Sequence, residues 1–195
     1  MPDTIFEIIW LAGFIAASAI RVLFTVRNRN NRAAGERQTV REGLVMLPPL
    51  VGMIIIPLLY VFNSWPDFAD YRLPVWAGWG GAALFAFSLW LLWRSHADLG
   101  RDWLPTVQLR EGHSLVTRGV FRYIRHPMYA AHWLWGLCQP LLLQNWIAGF
   151  AMLVSLLPTY LVRVPQEERM MLEQFGEEYR AYMGRTGRVI PRLRR

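Results

Sequence analysis

Two short stretches hold the side chains best placed to do chemistry. In RYIRHPMY, residues 122–129, Arg122, Arg125 and His126 stand directly ahead of an apolar, aromatic run, with Pro127 next to the histidine. In TYLVRVPQEERM, residues 159–170, Arg163, Glu167 and Glu168 follow directly after another apolar run. A residue before proline is biased toward extended backbone, and proline is favoured at the first helical position. His126–Pro127 therefore marks a helix start, whose free N–H groups and partial positive charge suit a carboxylate or phosphate. Arg125 and His126 would reinforce that preference. Pro165 should break the helix before it, so the two acids equally suit the first turn of a following helix. If a short turn makes the two apolar helices neighbours, Glu167 and His126 share one pocket. Such a pocket can hold a zwitterion, its amino end at the acid and its carboxylate at the cations. The same cations also suit lipid headgroups.

The elements that must position these groups are membrane helices. About 20 mostly apolar residues cross the hydrocarbon as a helix. Runs 5–24, 44–62 (with Pro48, Pro49 and Pro57), 74–93, 128–144 and 146–162 qualify, the last two forming a helical hairpin around Asn145. The fold class is therefore all-α and integral membrane, with about five transmembrane helices. Arginine concentrates in 25–43, 94–127 and 163–195, whereas loop 64–73 has only Arg72 against Asp67 and Asp70. That asymmetry places the N-terminus outside and the C-terminus in the cytoplasm. In the tail, Met171, Phe175, Tyr179 and Tyr182 recur at helical spacing, which predicts an amphipathic helix at the membrane surface. Residues 1–93 read as an N-terminal set of three spans, and 94–195 as a core of loop, hairpin and tail helix.

Composition narrows the function. Of the 195 residues 54% are hydrophobic and 18% charged, and all 21 basic residues are arginine. The charge of +7 lies between apolar runs, which points to anionic lipid rather than nucleic acid. The single cysteine, Cys138, excludes a disulfide framework and sits in an apolar run as a buried thiol. Asp3 and Glu7, with no basic cluster ahead of the first apolar run, argue against a cleaved signal peptide. Small size and all-arginine usage suggest a bacterial plasma membrane. The glycine-rich nucleotide loops, HExxH and GxSxG are absent. His126 and His132, six apart, are poorly spaced as ligands on one helix face, so no metal is expected.

At these same residues the sequence resembles the isoprenylcysteine carboxyl methyltransferase family, integral-membrane enzymes related to phospholipid N-methyltransferases. HSLVTRGVFRYIRHPMY (113–129) and RVPQEERMMLEQFGEEYRAYM (163–183) carry the resemblance, which covers about the last 90 residues. It implies S-adenosyl-L-methionine as cofactor. It also implies cofactor contacts at Gln108 (across a small gap), His113, Ser114, Leu115, Val116, Phe121, His126, Pro127, Met128, Tyr129 and Glu167. Arg163 matches an arginine on the substrate side and is the candidate catalytic residue. Phe121 stands where the family often has tyrosine, and Ala130–Ala131 replaces the usual glycine. The implied acceptor is lipophilic or lipidated, entering from the bilayer beside the tryptophan-rich hairpin (Trp133, Trp135, Trp146). A carboxylate acceptor is ionised at neutral pH and needs no base, whereas an amine or thiol would, and no convincing base is present. Two rivals remain. A sterol-reductase-like protein would bind NADPH and should have more spans, and a non-catalytic membrane subunit would bind neither cofactor.

Overall fold

The computed structural model describes residues 2–28, 40–63, 66–100 and 114–192. Its helices are α1 (Pro2–Arg27), α2 (Val40–Leu50), α3 (Ile56–Phe62), α4 (Val75–Leu99), α5 (Pro127–Leu143) and α6 (Trp146–Arg185). A π-helical turn, Val51–Ile55, joins α2 to α3 directly after Pro48 and Pro49. Those prolines remove two backbone donors, and the wider turn absorbs the mismatch without ending the span. Four helices are long and apolar enough to cross a membrane among the described residues: Thr4–Arg27, Gly43–Phe62, Val75–Leu99 and Trp146–Arg185. With 17 residues α5 falls at the short end of that range, and it packs between α4 and α6. The molecule is an all-helical, multi-pass membrane protein.

The α5–α6 hairpin turns at Gln144 (φ 47°, ψ 37°) and Asn145. The Asn145 side-chain oxygen accepts from the backbone of Ile147 and Ala148, and its amide donates to Pro66 O and Asp70 Oδ1 at 2.8 Å each. A fully buried residue thus caps α6 and ties the hairpin tip to the 66–73 loop. Gly149 lets the two helices close, because a Cβ there would lie 2.8 Å from Pro140 Cα. Midway along the bundle the side chain of Gln139 is fully buried. Its oxygen accepts from Trp135 Nε1 at 3.1 Å and Trp10 Nε1 at 3.4 Å, and its nitrogen donates to Ala148 O at 2.7 Å and Gly52 O at 3.4 Å. One amide links α1, α5, α6 and the π turn, the kind of polar contact that orders helices where burial of apolar surface cannot.

Helix α6 departs from the sequence reading. It runs through Pro158 and Pro165 without breaking, and its only non-helical residue is Gly176 (φ 52°, ψ −123°). The amphipathic tail helix is thus a continuation of the last span, bent at a glycine. Neighbouring helices can re-satisfy the carbonyls that proline frees, which is why proline is tolerated there. The tail's Tyr179 and Tyr182 are buried against protein rather than laid on lipid.

Candidate functional site

The end of α6 and the start of α5 meet as the sequence predicts. His126 takes an extended φ of −122° with ψ 62°, and Pro127 opens α5 with no side chain capping the first turn. Upstream, a 3-10 turn, Gly119–Arg122, leads into it. Gly119 needs its freedom: φ is 59°, and any Cβ would collide with the Asp98 carboxylate, which accepts from Val120 N at 2.8 Å and pairs with Arg94 at 2.9 Å. Beyond α6 the chain doubles back. Arg125 N donates to Gly187 O at 2.8 Å, His126 N to Arg188 O at 2.9 Å, and Gly187 N to Tyr123 O at 3.3 Å, a short parallel pairing. Tyr182 Oη donates to Phe121 O at 2.6 Å.

Within this frame the two acids differ. Glu168 is 4% exposed and fully engaged. Arg125 Nε and Nη2 both donate to its Oε1 at 3.1 Å, and Arg188 Nη2 donates to its Oε2 at 2.6 Å. Arg125 Nη1 turns the other way, to the carbonyls of Met183 and Thr186 at the end of α6. Arg125 is therefore not available to an anion at the α5 N-terminus, contrary to the sequence reading, because the helix end and Glu168 consume its donors.

Glu167 is only lightly held. Its Oε1 accepts from Tyr129 Oη at 2.7 Å. His126 Nδ1 lies 3.5 Å from its Oε2, and Arg163 Nε 3.4 Å from its Oε1, ion-pair distances without hydrogen-bond geometry. Among the described residues two buried side-chain atoms lack a hydrogen-bond partner: Arg163 Nε, and His126 Nε2, which faces Glu168 Oε1 at 3.4 Å. Arg163 Nη1 meets the Met46 thioether at 3.0 Å. Burial alone would depress the His126 pKa, but the carboxylates of Glu167 and Glu168 outweigh it and hold the imidazole above its ordinary value. A protonated His126 presents a donor at both ring nitrogens, Nδ1 toward Glu167 and Nε2 toward Glu168. Tyr129 stands edge-to-face with Tyr160 (5.8 Å between centroids), and Tyr160 with Trp133 (5.7 Å), so an aromatic wall runs from Glu167 toward the apolar part of the hairpin.

The other expected site residues are distributed as follows. Gln108 and His113 lie outside the described residues. Ser114 is exposed, Leu115 is half-buried, and Val116 packs against the core. Phe121 is buried in that core, and only its carbonyl is engaged in the polar frame. Met128 is half-buried, its carbonyl taken by His132 Nδ1 at 2.6 Å. Of the three hairpin tryptophans only Trp133 lies by the site; Trp135 is buried, and Trp146 is exposed at the far end of α6. Sequence reasoning missed the part played by Glu168, Arg188 and Thr186. The doubled acid was its one visible signal.

The pattern of one closed and one open carboxylate falls inside a segment that known proteins share. Residues 81–173 match the model of the isoprenylcysteine carboxyl methyltransferase (ICMT) family. Through that segment the chain is similar to the ICMT family. Among relatives, protein-S-isoprenylcysteine O-methyltransferase B of Arabidopsis thaliana is 32% identical over 94 residues, 47% of this chain and 48% of that protein. The Homo sapiens protein-S-isoprenylcysteine O-methyltransferase is 27% identical over 129 residues, 65% of this chain and 44% of that protein. The chain thus spans about half the length of the curated relatives it matches. A solved structure of the eukaryotic intramembrane Ras methyltransferase ICMT superposes with a TM-score of 0.62 over 98% of this chain and 68% of its own, at 19% identity. That likeness shows that the ICMT fold extends over α1 to α4 as well, beyond the segment matched in sequence.

Proposed function

We propose that this chain is an integral-membrane methyltransferase that uses S-adenosyl-L-methionine to methylate the carboxylate of a lipophilic acceptor, an isoprenylcysteine or a molecule like it. The observation that carries the proposal is the lightly held Glu167, flanked by Nδ1 of His126 and the orphaned Nε of Arg163, within the family segment. A methionine-derived ligand ends in an ammonium and a carboxylate, and these residues offer the complement of both. Glu167, oriented by Tyr129, would bind the ammonium. The free N–H groups of Met128 and Tyr129 in the uncapped first turn of α5, beside His126 and Pro127, would bind the carboxylate. The rest of the cofactor would fall to Phe121, Ser114, Leu115 and Val116, with Gln108 and His113, as the family resemblance implies. When bound, the sulfonium supplies a methyl group on a good leaving group.

The protein's task is then alignment and exclusion of water. Arg163 would orient the acceptor carboxylate through charge-assisted hydrogen bonds, and no base is required because that carboxylate is already ionised. The aromatic wall of Tyr129, Tyr160 and Trp133 would shield the reacting atoms and suit a cationic sulfur. In this reading 94–195 is the cofactor-binding core and 1–93 forms the bilayer-facing side. The arginine-rich segments support a site at the cytoplasmic surface, with the N-terminus outside.

Calorimetric titration of the detergent-purified protein with S-adenosylhomocysteine and with NADPH tests the reading. Binding of the homocysteine compound alone, lost in Glu167→Ala, is the expected result. NADPH binding would move the assignment to a reductase, and binding of neither would leave a non-catalytic membrane protein.

A further inference from the structure

One charged side chain in the first span has no place in the site described so far. Arg21 lies in α1 within the span Thr4–Arg27, outside the family-matched segment 81–173. An arginine near the end of a span commonly snorkels to the surface. The register of α1 argues against that here. Trp10, Gly13, Ala17, Phe24 and Asn28 are its buried residues toward this end, and at about 100° per residue Arg21 falls at the edge of that stripe, beside Trp10 and Asn28. The lipid-facing stripe, with Ile8, Ile15, Val22 and Val26, is on the opposite side. Arg21 is nevertheless exposed, so the bundle is open where it points.

The packing explains the opening. Helix α1 rests on α4 and α5, while α2 and α3 rest on α6, and among the described residues α1 makes no comparable packing with α2 or α6. That leaves α1 and α6 on opposite flanks of α5. Arg21 stands on the α1 side, and Arg163, next to Met46 of α2, on the α6 side. The groups close enough to act on Arg21 electrostatically include Arg163, His96 and His132, all bases. No carboxylate lies within ion-pair distance of Arg21 among the described residues. Two guanidinia coupled in low-dielectric surroundings repel each other unless an oxyanion sits between them.

We propose that Arg21 and Arg163, from helices on opposite flanks of α5, together bind the carboxylate at the polar end of the lipophilic acceptor. The inference rests on the methyltransferase reading for its acceptor, and adds a substrate-binding residue from a helix that the family segment does not include. The aromatic side chains of Trp133 and Tyr160 would receive the apolar chain. An oxyanion in a membrane has a second source, the phosphate of a phospholipid, and the two are distinguishable.

The test uses the full chain in phosphatidylcholine nanodiscs, with N-acetyl-S-farnesylcysteine, its carboxamide, and S-adenosylhomocysteine as probes. Arg21→Gln should weaken binding of the acid by about tenfold or more, leave the carboxamide unchanged, and leave S-adenosylhomocysteine affinity intact; Arg21→Lys should restore part of the loss. The proposal is overturned if acid binding is unchanged in Arg21→Gln, if acid and carboxamide weaken together, or if the wild type does not prefer the acid. It is also overturned if the Arg21-dependent ligand is dioleoylphosphatidate rather than the farnesylcysteine acid. Should the wild type bind no S-adenosylhomocysteine while Arg21-dependent acid binding persists, the methyltransferase reading fails and this site stands.

Discussion

Glu167 and Glu168 are adjacent in sequence and opposite in circumstance. Glu168 has two guanidinia on its two oxygens, and one of them, Arg125, also closes the end of α6. Glu167 has one phenol and two cations held just beyond hydrogen-bond geometry, with the buried Nε of Arg163 left without a hydrogen-bond partner among the described residues. A buried charge whose every lone pair is satisfied serves architecture, because any further ligand would have to displace what is there. A half-buried charge that is only partly satisfied is costly to the free protein, and that cost is recovered when a complementary ligand arrives.

Removing each acid should separate these roles. Glu168→Ala leaves Arg125 buried and unpaired, and should destabilise the protein by about 3 kcal/mol, read as a large fall in the thermal midpoint of the ligand-free form. Glu167→Ala should leave that midpoint nearly in place while costing S-adenosylhomocysteine roughly 1.5–3 kcal/mol of affinity, the range for a hydrogen bond to a charged group. Equal destabilisation by both variants would erase the distinction.

A smaller effect concerns His126. Its folded-state pKa is raised, so its pairing with the carboxylates stabilises the ligand-free protein fully below its ordinary value of 6.5 and is lost as pH rises through the folded value. Thermal midpoints should therefore decline as pH increases above about 6.5, and His126→Gln should flatten that decline. A slope that survives in the variant would assign the titration elsewhere. The mildest change is Tyr129→Phe, which deletes the 2.7 Å bond to Glu167. It should weaken S-adenosylhomocysteine by about 1 kcal/mol without moving the midpoint, since the ring still packs on Tyr160.

Much of the frame was legible because its causes are local. Apolar run lengths give the spans, His126–Pro127 gives the start of α5, and Asn145 between two runs gives the hairpin, which in turn brings His126 to Glu167. The commitment of Arg125 was not legible, since its carbonyl acceptors at Met183 and Thr186 are 58 and 61 residues away and belong to backbone, which no residue type announces. The continuity of α6 through Pro165 was misread for a related reason, because the chain's neighbours, not its own sequence, decide whether a proline ends a membrane helix. Arg21 carried a usable signal in its helical register. Its nearness to the end of a span also fits a charge that snorkels to the surface.

The unbroken course of α6 has a consequence for the bilayer itself. From its cap at Asn145 to Glu167 the helix has no non-helical residue, so the open acid is carried about 33 Å along the helix from the hairpin tip by a rod that cannot shorten, at 1.5 Å per residue. That span is close to the thickness of a typical hydrocarbon layer, about 30 Å. In a thicker membrane the rod would draw Glu167 and its neighbours into acyl chains; in a thinner one it would lift them clear of the lipid that delivers their partner. Lipid chain length thus becomes a control on this site, exercised through hydrophobic mismatch and without any change in the residues that form it.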